Sequence, residues 1–172
     1  MAGDPYLKVG SDGKAAEQRA VQTSAGAGNA GNIPALDSTG RLDSTMMPAG
    51  IVPETITFTA SENLSAGDYV NLHLSTTLKG RKADNSNGRQ ADGFVLASVT
   101  SGASGTLYTD GSNTGVTSLT IATRYFLGTS GGVTATVPSA GTGVIIQPLG
   151  IAKSATELVN TGGFEELITR AA

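Results

Sequence analysis

At Glu54 the chain changes character, and that change constrains its fold more than any other feature. From there the residues run Thr55-Ile56-Thr57-Phe58-Thr59, with an apolar side chain at every second position. Successive side chains of a strand point to opposite faces, so this alternation predicts a half-buried strand. Leu64-Ser65-Ala66-Gly67-Asp68 reads as a turn. Tyr69-Val70-Asn71-Leu72-His73-Leu74 then places Val70, Leu72 and Leu74 on one face, with Asn71 and His73 on the other. Further strands are expected over residues 94–100, 105–109, 116–121, 125–127, 132–137, 144–152 and 157–160. Clusters such as Asp110-Gly111-Ser112-Asn113 and Ser130-Gly131-Gly132 form turns between them, and Asp84-Asn85-Ser86-Asn87-Gly88 is a loop ending in an Asn-Gly hairpin signal. Short strands at this spacing predict an all-β fold, a small antiparallel β-barrel or sandwich. The 24 glycines and the 15% charged residues agree, since turns need residues that tolerate positive φ and a helical surface would carry more charge. Residues 54–172 suffice for one core; residues 163–170 at the tail fit either a short strand or a helical turn.

Residues 1–53 read as an extended, mostly irregular N-terminal arm. They hold a single aromatic, Tyr6, and the run Thr23-Ser24-Ala25-Gly26-Ala27-Gly28-Asn29-Ala30-Gly31-Asn32 has nothing to bury. Such a segment does not repay its ordering entropy alone and orders on a partner. Residues 15–21 are expected to form about two helical turns with Asp12 as cap, a marginal helix in isolation. Asp37-Ser38-Thr39-Gly40 carries Asp first and Gly last, as a tight turn requires, and Leu36 and Leu42 flank it, so a hairpin or hooked loop is expected. Met46-Met47-Pro48-Ala49-Gly50-Ile51 reads as a flexible apolar plug. Two readings of it stand: it covers one end of this chain's own domain, or it docks on a neighbouring chain.

Little in the sequence offers chemistry. Net charge is -3 and the largest basic cluster is Lys79, Arg81 and Lys82, too few to neutralise several phosphates, so no nucleic-acid binding is expected. No run of about 18 apolar residues is present, so no membrane span is expected either, and residues 1–14 do not read as a signal peptide. The absence of Cys removes disulfides and thiolate metal sites. His73 is the one imidazole, expected to be solvated or at an interface, and no Gly-x-Ser-x-Gly elbow frames a nucleophile. Carboxylates are scattered singly except Glu165 and Glu166. Asp84-Asn85-Ser86-Asn87-Gly88 resembles part of a calcium loop but lacks the closing Glu, because Arg89 and Gln90 follow. No phosphate-binding Gly-x-x-x-x-Gly-Lys-Ser/Thr loop occurs. No enzymatic activity, cofactor or metal is expected.

A resemblance adds to this. The phrase from Gly31 through Ile33-Pro34-Ala35-Leu36-Asp37-Ser38-Thr39-Gly40-Arg41-Leu42-Asp43-Ser44-Thr45-Met46-Met47-Pro48 to Ile51 is followed by Ser65-Ala66-Gly67-Asp68-Tyr69-Val70-Asn71-Leu72. Arg81-Lys82-Ala83-Asp84 and Ala91-Asp92-Gly93-Phe94-Val95-Leu96 come next, and Tyr125-Phe126-Leu127-Gly128, Gly131-Gly132-Val133-Thr134 and Ile146-Gln147-Pro148-Leu149-Gly150-Ile151-Ala152 complete the series. In that order the phrases resemble the capsid decoration (cement, head-stabilising) proteins of tailed bacteriophages. The resemblance implies a β-tulip-like barrel domain, residues 54–172, on the outer surface of the virion capsid, and an arm, residues 1–53, across the major capsid protein. It implies a homo-oligomer, a trimer ahead of a dimer, made in the host cytoplasm. The residues it puts against the capsid are Ile33, Pro34, Leu36, Leu42, Met46, Met47, Pro48 and Ile51. The Asp-x-x-Gly-Arg-Leu-Asp phrase also occurs in phage fibre linkers, so a head- or tail-fibre, receptor-binding module is the alternative.

Overall fold

The structure, a computed structural model, describes residues 3–47, 54–139 and 144–161 and the backbone of 168–169. The chain divides into two compact units, Met1–Val52 and Pro53–Ala172. Among the described residues every element is a strand or a short 3-10 turn.

The first unit contains a hairpin of β1 (Pro5–Val9) and β2 (Ala15–Arg19), followed by two 3-10 turns, Gly26–Asn29 and Ser44–Met46. The helix expected over residues 15–21 is therefore a strand. A helix of that length is marginal alone, and pairing with the alternating Pro5-Tyr6-Leu7-Lys8-Val9 satisfies its backbone instead.

In the second unit, β3 (Thr55–Ala60), β4 (Tyr69–Leu74), β5 (Leu78–Lys82), β6 (Gly93–Phe94) and β7 (Ser104–Tyr108) close into a barrel in the order β3-β5-β4-β6-β7. The β3–β5 pair is parallel and the others are antiparallel. A second sheet runs β10 (Val133–Thr134), β9 (Arg124–Leu127), β12 (Pro148–Ser154), β13 (Glu157–Asn160), β8 (Ser112–Asn113), all antiparallel. A small pair of β11 (Ile145–Ile146) and β14 (Ile168–Thr169) forms a separate two-stranded sheet, so the tail is a strand where it is described.

Strand β4 shows how one alternating segment serves two cores. Val70 turns into the barrel with Phe58, Ala60, Leu64, Val95, Val99 and Leu107. Its neighbour Tyr69 turns outward, into a cluster with Phe94, Tyr125, Leu127, Leu149 and Leu158 that joins the barrel wall to the second sheet. The Tyr69 and Phe94 rings are 6.0 Å apart, and Phe94 stacks on Tyr108 at 5.8 Å. Barrel closure depends on two glycines. A Cβ on Gly105 would come within 2.9 Å of the Phe58 ring, and one on Gly80 would overlap it. Both strands can therefore close around one large ring, the small-against-large fit that a narrow barrel needs.

Buried amides tie the loops to this frame. Gln147, fully buried, donates from Nε2 to the Ala91 carbonyl and accepts the Ala91 N–H, both at 2.8 Å. Asn113 donates to the Gly67 carbonyl at 2.9 Å, and Asn85 donates to the Leu127 carbonyl at 2.8 Å. Gln147 thus reproduces a strand-like pairing with Ala91, and the two Asn side chains each satisfy one carbonyl where the backbone is irregular, which keeps buried peptide groups paired.

Several expected strands differ. Residues 116–121 are irregular, with Ser118 and Ala122 at φ of 60° and 61°, while Val116 and Leu119 still reach the core as plugs. Pairing over residues 94–100 is confined to Gly93–Phe94 and an isolated Leu64–Val99 bridge, and over 132–137 to Val133–Thr134. The stretch 144–152 is interrupted between Ile146 and Pro148. Strand β5 escaped sequence reasoning because its inward position is Gly80, which erases the apolar alternation, and β8 because Ser112-Asn113 has the composition of a turn.

Candidate functional site: the arm

No side chain among the described residues of the first unit is buried. Its contacts are polar and local. The Tyr6 hydroxyl accepts the Ile33 N–H at 3.2 Å, and Lys8 Nζ donates to Asn32 Oδ1 at 3.3 Å. Val21 bridges Pro34 in parallel: the Val21 N–H donates to the Ile33 carbonyl at 2.9 Å and the Ala35 N–H to Val21 at 2.7 Å. These bonds hold residues 32–35 along one face of the hairpin.

The hook that follows is a tandem. Leu36-Asp37-Ser38-Thr39 is repeated six residues later as Leu42-Asp43-Ser44-Thr45, and the two copies fold alike. Asp37 Oδ1 accepts the Thr39 N–H at 2.8 Å and the Thr39 hydroxyl at 2.7 Å; Asp43 Oδ1 accepts the same groups of Thr45 at 2.9 and 2.6 Å. Gly40, at φ 77°, closes the first turn, whose Gly40 N–H reaches the Asp37 carbonyl at 3.0 Å. The side-chain bond from Thr39, then the N–H groups of Arg41 and Thr39, hold the Asp37 carboxyl below its ordinary value, and Thr45 does the same for Asp43. The copies differ in their surroundings: Asp37 Oδ1 also accepts the Arg41 N–H at 3.0 Å, and the Leu36 carbonyl accepts Gln22 Nε2 at 2.9 Å. Thr45 Oγ1 accepts the Ser24 N–H at 2.8 Å, which holds the second copy through a side chain, whereas among the described residues no backbone N–H from outside the turn reaches Thr39.

Exposure differs too. Leu36 is 56% exposed, Ile33 50% and Met47 40%, and Pro34 is exposed as well, whereas Leu42 and Met46 are half-buried, Met46 beside Val21 and Pro34. Pro48 and Ile51 lie outside the described residues. The eight residues expected at a partner thus fall into an outward set (Ile33, Pro34, Leu36, Met47), an inward pair (Leu42, Met46) and two undescribed positions. Sequence reasoning missed Leu7 and Val9, which are 76% and 67% exposed on β1. The period-two pattern of Pro5-Tyr6-Leu7-Lys8-Val9 was the signal for them.

Elsewhere the polar groups serve the frame. Asp92 Oδ2 accepts the Leu72 N–H at 2.7 Å and Asp68 pairs with Lys82 at 3.3 Å. Asp84 receives Ser86 through both its N–H and its hydroxyl, and the Ser130 N–H at 3.0 Å, which makes the calcium-loop look-alike a polar turn. His73 is half-buried opposite Lys79, with its Nδ1 enclosed and without a hydrogen-bond partner among the described residues. Among the described residues no three His, Asp or Glu side chains converge on a metal position.

No family model matches this chain. No curated protein matches it. Among solved structures, the crystal structure of the head fiber gp8.5 N base in bacteriophage phi29 is similar over 64% of this chain and 95% of that one, at 13% identity and a TM-score of 0.43. A likeness of that degree carries no weight for function.

Proposed function

We propose that this chain is a structural protein of a tailed-bacteriophage head. It decorates the outer surface of the capsid and clamps major capsid subunits against the pressure of packaged DNA. The observation that carries the reading is the arm. It holds a defined set of exposed apolar side chains, Ile33, Leu36 and Met47, on a unit in which no described residue is buried. A unit of that kind gains its burial from a partner, and the ordered phrases from Gly31 to Ala152 resemble proteins whose partner is the capsid. Many weak contacts spread along an arm suit a clamp, because multivalent attachment tightens the whole beyond any one of them. A closed barrel suits the solvent side, since its own five strands leave no free edge, in contrast to the open sheet that accompanies it. In this reading the protein works without cofactor or catalysis, as a homo-oligomer, a trimer ahead of a dimer.

The test is co-sedimentation with undecorated heads, together with the copy number in purified particles by mass spectrometry. Saturable binding at a copy number on the scale of the shell's own subunits supports decoration. A copy number restricted to a few appendages per particle supports the second reading, a head- or tail-fibre module, which the Asp37–Asp43 phrase favours. No association with heads overturns both.

A further inference from the structure

The hairpin carries a contact surface of its own, separate from the hook. The Gly10 N–H donates to the Lys14 carbonyl at 2.9 Å and the Ala20 N–H to Asp4 at 3.1 Å, one at each end of the ladder. With Leu7 opposite Glu17, the even-numbered residues of β1 exchange their backbone bonds with β2. The N–H and C=O of Leu7 and Val9, and the carbonyl of Pro5, therefore point away from β2, because antiparallel pairs alternate between bonded and unbonded residues. Among the described residues no further strand pairs with β1, whose sheet has two strands.

The two edges of the hairpin are not equivalent. The outer edge of β2 carries Glu17 and Arg19 at its outward positions, and just beyond its end Val21 is already bridged by residues 33–35. Charged residues of this kind guard an edge against pairing. The outward positions of β1 are Pro5, Leu7 and Val9, all exposed and all apolar.

We infer that β1 is a self-pairing edge, which joins β1 of a second copy of this chain antiparallel across a two-fold axis to make a four-stranded sheet. The strand is complementary to itself in one register. With Leu7 opposite the second copy's Leu7, the two Leu7 residues exchange both backbone bonds. Val9 donates to the second copy's Pro5, so the residue without an N–H sits where only its carbonyl is needed. Leu7 meets Leu7 and Val9 meets Pro5 on one face. On the other, Lys8 faces Tyr6, an arrangement open to a cation–π contact. Sliding the strands two residues, so that Leu7 faces Val9, makes as many backbone bonds but sets Lys8 against Lys8, and like charges directly opposed destabilise a pair. Five residues a side fall short of the roughly 800 Å² per partner of a stable interface, so the contact is weak and reversible and fills as protein concentration rises. It stands or falls apart from the capsid reading, because the test in solution needs no shell.

The chain has no cysteine, so one introduced thiol is a clean reporter. Leu7→Cys is expected to cross-link to a covalent dimer under mild oxidation at least about tenfold faster than Gln18→Cys on β2. Hydrogen exchange of the unsubstituted full chain provides the second readout: the Leu7 and Val9 amides should slow as protein concentration rises, while those of Ala15 and Glu17 on the other edge do not. Equal cross-linking with exchange independent of concentration overturns the inference. Cross-linking of Val9→Cys in preference to Leu7→Cys overturns the register. Protection of Leu7 and Val9 that appears only when undecorated heads are added also overturns it, and gives the edge to a strand of the shell.

Discussion

Replacing Ile33, Leu36 and Met47 together by Ser separates docking from folding. These side chains are 50%, 56% and 40% exposed, so about half of each remains to be covered by a partner. Full burial of such a side chain is worth roughly 1.5–3 kcal/mol, which leaves about 0.75–1.5 kcal/mol apiece and roughly 2–4 kcal/mol for the three. At about 1.4 kcal/mol per decade this is a loss of about 30- to 1,000-fold in affinity for heads, an upper range because ordering the arm consumes part of the gain. The melting temperature of the free protein should not move, since every buried residue among those described lies at Phe58 or beyond. The assay pairs a thermal melt with quantitative binding to undecorated heads. Leu42→Ser is the control: Leu42 is already half-buried in the free protein, so its loss should loosen the hook and weaken binding indirectly. A triple variant that melts early but binds normally when folded would assign these residues to the protein's own core. One that melts and binds normally would place the docking surface elsewhere.

Three further outcomes rest on the frame. Gln147→Ala leaves the buried Ala91 N–H and C=O without their partner and should cost roughly 3–6 kcal/mol in a urea titration; a loss under about 1.5 kcal/mol would mean the loop relaxes to find other partners. Gly80→Ala should cost roughly 1–3 kcal/mol through its overlap with Phe58, and Phe58→Leu in the same chain should recover part of that, a coupling that would be absent if the barrel simply widened. At Asp84, partial burial pulls the carboxyl upward, but the hydrogen bonds from Ser86 and Ser130 and the charge of Arg89 outweigh it and hold the group below its ordinary value. Its contribution is therefore present above the unfolded-state value and lost as pH falls through the folded one, so Asp84→Asn should flatten the acid limb of the stability curve; an unchanged limb would refute the assignment.

The alternation after Glu54 is enough by itself to make β3, β4, β7, β9 and β13 legible in the sequence. A period of two along 55–59 or 69–74 marks a strand, although in 69–74 both faces are buried at its start and Leu74 is exposed at its end. The Asp37 turn is legible for a local reason too, since Asp, Thr and Gly at those offsets close it with their own side chains. The poverty of apolar residues in the arm likewise announces a unit without a core of its own. Tertiary structure alone decided the rest. Closure of the barrel rests on Gly80 and Gly105 standing against one Phe58 ring, a match between residues far apart in sequence that no local pattern encodes. Residues 15–19 became a strand because β1 was there to pair with them, and 116–121 became a plugged loop because the second sheet supplied pockets for Val116 and Leu119. At the arm, composition marks Leu36 and Leu42 as equals, and their local turns are the same. Both are tied to the unit, Leu36 through Gln22 on its carbonyl and the second copy through Ser24 on Thr45, yet Leu36 is exposed and Leu42 half-buried, a difference set by where the chain returns in space.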